Sequence, residues 1–163
     1  MTIDELEKNL AEATGPSRYI DGLIALAFGW APHFAIDDEQ LPPDWDEIGG
    51  HWLPPDKWTL TLGPFRCDCF TDTHFEDPPH YTSSLDAAVS LHKAVLPTFI
   101  LYRACDWPGT PPSVELYGTH RVLGKFEMWH NSADGRYEAK AATLPLAYTL
   151  AIIRALKAER KKK

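Results

Sequence analysis

The stretch Ser83-Ser-Leu-Asp-Ala-Ala-Val-Ser-Leu-His-Lys-Ala-Val-Leu-Pro97, running on into Thr98-Phe-Ile-Leu-Tyr-Arg-Ala-Cys105, decides the fold class. Leu85, Val89, His92 and Leu96 recur at alternating four- and three-residue steps, with Ala88, Leu91 and Val95 beside them. That period lays one apolar face along a helix. Ser83, three residues ahead of Asp86, has the form of its N-cap, and Pro97 cannot continue it. Thr98–Cys105 is dense in β-branched and aromatic residues and reads as a central strand.

Toward the C-terminus, Trp107-Pro108-Gly109 with Pro111-Pro112 predicts a turn-rich link to a second strand at Val114–Tyr117. Lys125–His130 and Arg136–Ala141 flank Asn131-Ser-Ala-Asp-Gly135, which predicts a hairpin. Thr143 then caps a last helix, with Pro145 in its first turn and Leu146, Leu150, Ile153 and Leu156 as its buried stripe. The order from Ser83 is helix, about four strands, helix. An α+β fold follows, with helices layered on a roughly four-stranded antiparallel sheet. Its expected core is Leu85, Val89, Ile100, Tyr102, Val114, Leu116, Phe126, Met128, Leu146, Leu150 and Ile153.

Toward the N-terminus, Thr2 and Glu5 have the spacing of a capping box ahead of Ile3, Leu6 and Leu10. Gly15-Pro16 ends that helix and opens another, whose face is Ile20, Leu23, Ile24, Ala27 and Phe28 and whose stop is Gly29. Residues 1–30 therefore read as a helical hairpin. Residues 31–80 differ in kind: they hold eight of the fourteen prolines and four of the seven phenylalanines, with Trp45, Trp52 and Trp58. Repeated Pro-Pro pairs forbid long helices there, and the aromatics argue against plain disorder. Trp58–Leu62 and Phe65–Phe70, separated by Gly63-Pro64, are the strand-like runs of this loop-rich insertion. Residues 81–163 form the core, within one compact domain.

The 163 residues carry 16 Lys and Arg against 23 Asp and Glu, a formal charge of −7. Arg154–Lys163 holds six bases and one acid, and its Lys161–Lys163 tail reads as a solvated helix end. Asp37–Asp86 holds twelve acids but only Lys57 and Arg66, a local charge of −10. Such a surface repels nucleic-acid phosphates and attracts basic protein partners. Three cysteines, an odd number, favour a reducing cytoplasm over a secreted disulfide framework. No apolar run approaches the roughly 20 residues of a membrane span, and the acidic N-terminus lacks the form of a secretory signal.

Ala13-Thr-Gly-Pro-Ser-Arg-Tyr-Ile-Asp-Gly-Leu-Ile-Ala-Leu-Ala-Phe-Gly29, Tyr81-Thr-Ser-Ser-Leu-Asp-Ala-Ala-Val89 and Ala141-Ala-Thr-Leu-Pro-Leu-Ala147 form a combination of motifs. Together they resemble the phage α-β-α sandwich family, small proteins of bacteriophages and alphaproteobacterial prophages without an assigned activity. The resemblance covers the helical flanks and the sheet, not the insertion. Members often pass from the helix into a Pro-Glu-Gly-Trp turn, where this chain runs through Leu96-Pro97 straight into a strand. The resemblance implies a phage or prophage origin and a sandwich-like fold. It transfers no catalytic residue.

Chemistry-bearing residues concentrate in the insertion. Cys67, Cys69, His74 and His80 offer two thiolates and two imidazoles, a competent zinc set. Structural sites usually place two to four residues between paired cysteines, and here Asp68 stands alone, so two same-face cysteines on a short strand are the simpler reading. His74-Phe-Glu76 lacks the Pro-Cys-x-x-Cys half of a zinc-deaminase signature, and the acidic loop lacks the Gly and Glu of an EF-hand. No Gly-x-Ser-x-Gly elbow, P-loop or His-Glu-x-x-His helix occurs. Cys105 reads as a buried inert thiol and His92 as a core histidine.

These features favour a non-enzymatic accessory protein without a cofactor. It would bind a basic host or phage protein through Asp37, Asp38, Asp44, Trp45, Asp46 and Trp52. Two alternatives stand beside it. One is an enzyme or ligand binder with a pocket between insertion and sheet, using His51, His74, His80, Asp68 and Asp72. The other is a zinc-stabilised structural domain. The oligomeric state is not legible in the sequence.

Overall fold

A computed structural model describes residues 1–32, 52–53, 78–122, 125–128 and 135–161. The chain is α+β, with four helices and an antiparallel sheet among the described residues. α1 spans Ile3–Glu12 and starts on the expected capping box: Glu5 N–H donates to Thr2 Oγ1, and the Glu5 carboxylate accepts from Thr2 N–H. α2 spans Arg18–Ala27. Its cap is Ser17, so Pro16 precedes the helix rather than opening it. Gly29, at φ 91°, takes the left-handed conformation that stops it.

α3 spans Leu85–Val95, and its cap is Ser84, which accepts from Ala87 N–H, not Ser83. α4 spans Leu144–Lys161; as expected, Thr143 Oγ1 accepts from Leu146 N–H at its start. Instead of one apolar stripe, nine residues of α4 are buried nearly all round: Leu146–Ile153 without a gap, and Ala155. The reason is position. α4 packs on three strands of the sheet while α1 and α3 pack on its other flanks. Alanines at 147, 151 and 155 allow those close approaches.

Two short strands, β1 (Ala31–Pro32) and β2 (Trp52–Leu53), pair antiparallel. The main sheet comprises β3 (Phe99–Cys105), β4 (Ser113–Val122), β5 (Lys125–Met128) and β6 (Arg136–Lys140). β4 is its axis. β3 pairs along residues 113–118, β6 along 113–117, and β5 along 119–122. β5 and β6 thus take successive lengths of β4; the expected hairpin loop between them, residues 131–134, lies outside the described residues. At its widest, where β3, β4 and β6 run abreast, the sheet is three strands across.

β3 corrects the sequence reading most sharply. Among the described residues it lies at the sheet edge, and Ile100, Leu101 and Tyr102 are all exposed. A continuous apolar run does not by itself distinguish a central strand from an edge one. Leu85 is exposed too, so these positions leave the expected core. Val114, Leu116, Leu146, Leu150 and Ile153 are buried as expected, and Val89 packs partly buried against them. The side chains of Phe126 and Met128 lie outside the described ones.

Candidate functional site

Most residues singled out in the sequence lie outside the described residues: Cys67, Cys69, His74, Asp37, Asp38, Asp44, Trp45, Asp46, His51, Asp68 and Asp72. Of the zinc set only His80 is described, and it is exposed at the entrance to the Tyr81–Ser84 turn. Trp52 contributes backbone to β2, paired with Pro32. Within the described residues, chemistry gathers in two other places.

The first is a buried polar junction. Asp21, on the inner face of α2, is 1% exposed. Its Oδ1 accepts from Thr82 N–H at 2.8 Å, and its Oδ2 meets Arg18 Nη1 at 3.4 Å. Arg18 also donates to the Pro78 carbonyl at 3.1 Å. Ser17 N–H donates to Thr82 Oγ1, which in turn donates to the Ser17 carbonyl. From α4 and its cap, Thr149 Oγ1 donates to the Tyr81 carbonyl and Thr143 Oγ1 to the Thr82 carbonyl. Burial holds the Asp21 carboxyl above its ordinary range, although the Thr82 hydrogen bonds, Arg18 and His80 oppose that rise. Burial likewise pushes the Tyr81 phenol up. Both carboxylate oxygens of Asp21 are committed to the fold, so its chemistry here is that of a clamp.

The second is the outward face of the sheet. Strand register places Ile100, Tyr117 and Arg136 in one row and Arg103, Glu115 and Glu138 in the next. A β-bulge between Leu101 and Arg103 gives β3 one extra residue, Tyr102. The Tyr102 ring lies 4.8 Å, centroid to centroid, from Tyr117. That is bulge chemistry: the ladder is broken and one side chain re-aimed. Glu115, 8% exposed, accepts from Arg136 Nη2 at 2.8 Å, and Arg136 reaches Glu138 at 3.5 Å. Glu115 first, by charge and hydrogen bond, raises the Arg136 guanidinium further above its ordinary value.

Cys105 ends this strand and is partly exposed, not buried as expected; Arg103 Nε donates to its Sγ at 2.9 Å. Beyond it Trp107 is 66% exposed. Among the described residues, four of the seven exposed large apolar ones, Ile100, Leu101, Tyr102 and Trp107, thus lie on β3 and its exit. Beside that exit, Gly109, Pro111, Pro112, Lys140 and Ala141 line an open groove of about 640 Å³.

Sequence reading missed Asp21 and Glu115. A signal existed for each: an acid set within the apolar run Ile20–Ala27, and one between Val114 and Leu116. The role of Arg154 and Lys157, ahead of the Lys161–Lys163 tail, was missed as well. Arg154 Nε donates to Glu7 at 3.0 Å, and Lys157 pairs with both Glu7 and Asp4, fastening α4 to α1.

No protein family, curated protein or solved structure matches this chain.

Proposed function

We propose that this protein is a phage or prophage accessory protein that acts by binding another protein rather than by catalysis. The observation that carries the reading is the grouping of Ile100, Leu101, Tyr102 and Trp107, all exposed, on one edge strand and its exit. Contiguous exposed apolar side chains on a soluble domain mark interaction surfaces, and Tyr, Trp and Arg are the residue types that anchor them. Here Arg103 and Arg136 stand beside the tyrosine pair. The local charge of −10 over Asp37–Asp86 adds long-range attraction for a basic partner.

Kinship with the phage α-β-α sandwich proteins is part of this proposal. Its support is spatial: the three quoted motifs, more than 50 residues apart in sequence, supply Ser17, Asp21, Thr82 and Thr143 to one junction. Residues that meet in space have a physical reason to occur together. The finer sandwich architecture and a cytoplasmic location belong to the same proposal.

Reversing the charge at Asp37, Asp38, Asp44 and Asp46 tests the steering role. The variant should keep its circular dichroism and thermal midpoint while partner capture at low salt falls. Undiminished capture by a folded variant would remove the acidic segment from the binding surface.

A further inference from the structure

His92 sits in the last turn of α3, 6% exposed. Its Nδ1 lies 2.6 Å from the Tyr148 hydroxyl on α4, with the two rings edge to face at 5.5 Å. Its Nε2 is buried without a hydrogen-bond partner, although the backbone of Phe99, first residue of β3, approaches the ring. The backbone at the same place is also tied: Leu96 N–H donates to the His92 carbonyl and Phe99 N–H to the Leu96 carbonyl, both at 2.9 Å. The ring ties the end of α3 to the first half of α4, and the His92 backbone sits where α3 turns into β3.

We propose that His92 is an acid-released latch at the root of strand β3. With the neutral ring carrying its proton on Nε2, on the side of the Phe99 backbone, Nδ1 accepts the Tyr148 hydroxyl proton. A proton taken from solvent fills that acceptor, so Tyr148 has to turn and offer a lone pair instead. The resulting imidazolium is enclosed. The groups that act on it are Lys93 from its own helix, which repels it, Tyr148 from α4, which is neutral, and the Phe99 backbone from β3, which favours it. None of these is a carboxylate, and a buried cation without an anion is costly. Burial holds the ring below its ordinary value and pushes the Tyr148 phenol up to about 12, so at neutral pH both groups are uncharged. Acid then loosens the α3–β3 turn, and with it the strand that carries Ile100, Leu101 and Tyr102. The latch stands whether or not β3 binds a partner.

Hydrogen exchange read by NMR tests it on the intact chain. Protection factors, corrected for intrinsic exchange, are compared at about pH 7.5 and about pH 5. The amides of Leu96 and Phe99 should lose protection severalfold at the lower pH while those in the middle of α4 keep theirs. The loss should follow the titration of the His92 ring protons in the same spectra. H92N, which keeps an acceptor near Nδ1 but cannot take up a proton, should abolish the pH dependence. Protection at Leu96 and Phe99 that is unchanged by pH in the wild type, or equally pH-dependent in H92N, would overturn the proposal. If H92N fails to fold, a mismatch in the wild type between the ring titration and the amide midpoint would do so.

Discussion

The backbone N–H of Thr82 donates to Asp21 Oδ1 at 2.8 Å, joining α2 to the turn before α3 across 61 residues of chain. The Ser17–Thr82 pair beside it makes the same closure between the start of α2 and that turn. The insertion is thereby closed off at its base.

That closure predicts a graded pair of variants. D21A leaves the buried Thr82 N–H without its acceptor and should cost about 1–3 kcal/mol in denaturant unfolding. D21N keeps an oxygen at Oδ1 and should cost less. Equal losses would show that the charge of Asp21, not its acceptor, holds the junction.

The α1–α4 fastening predicts a pH dependence of opposite origin. Burial opposes the charged form of Glu7, but hydrogen bonds from Lys157 and Arg154 outweigh it and hold the carboxyl below its ordinary 4.5. A lowered carboxyl stabilises the fold above that value, and the stabilisation is lost as pH falls through the folded pKa. E7Q should therefore be less stable than wild type at neutral pH, by about 1 kcal/mol. The gap should close below about pH 4.5. For Asp21 the sign reverses. Its carboxyl is raised, so the cost of its charge is present at neutral pH and relieved as pH falls. A gap between E7Q and wild type that persists in acid would contradict the assignment.

Placement of β3 at the edge predicts that its apolar residues contribute little to stability. L150A and I153A, at fully buried positions, should cost about 2–5 kcal/mol each. L101A, at a position 41% exposed, should stay within about 1 kcal/mol of wild type. A loss at Leu101 matching that at Leu150 would return β3 to the core.

The helices were legible because their signals are local. Thr2 with Glu5, the period of Leu6 and Leu10, and Thr143 ahead of Leu146 each lie within one turn. The sheet was less so. Phe99–Cys105 is equally apolar whether it lies at the centre or the edge, and only its pairing with β4 alone separates the two. The hairpin loop at residues 131–134 lies outside the described residues, and the described parts of β5 and β6 pair in turn with β4, which runs on to Val122. The polar junction was hidden for the same reason: Asp21, Thr82 and Thr143 acquire their roles from partners about 60 residues away. His92 was read as a core histidine from its apolar neighbours, and that is where it lies.

The exposed apolar edge formed by Ile100, Leu101 and Tyr102 on β3, with Trp107 beyond it, is the centre of the account, and capture of partners tests it most directly. Wild type and the double variant L101S/Y102S, matched for circular dichroism and thermal midpoint, are immobilised and exposed to bacterial lysate at low and high salt. Wild type should retain a basic protein at low salt and release it at high salt, and the double variant should retain severalfold less. Equal retention by the two folded proteins, or no basic protein retained by wild type at low salt, would contradict the account.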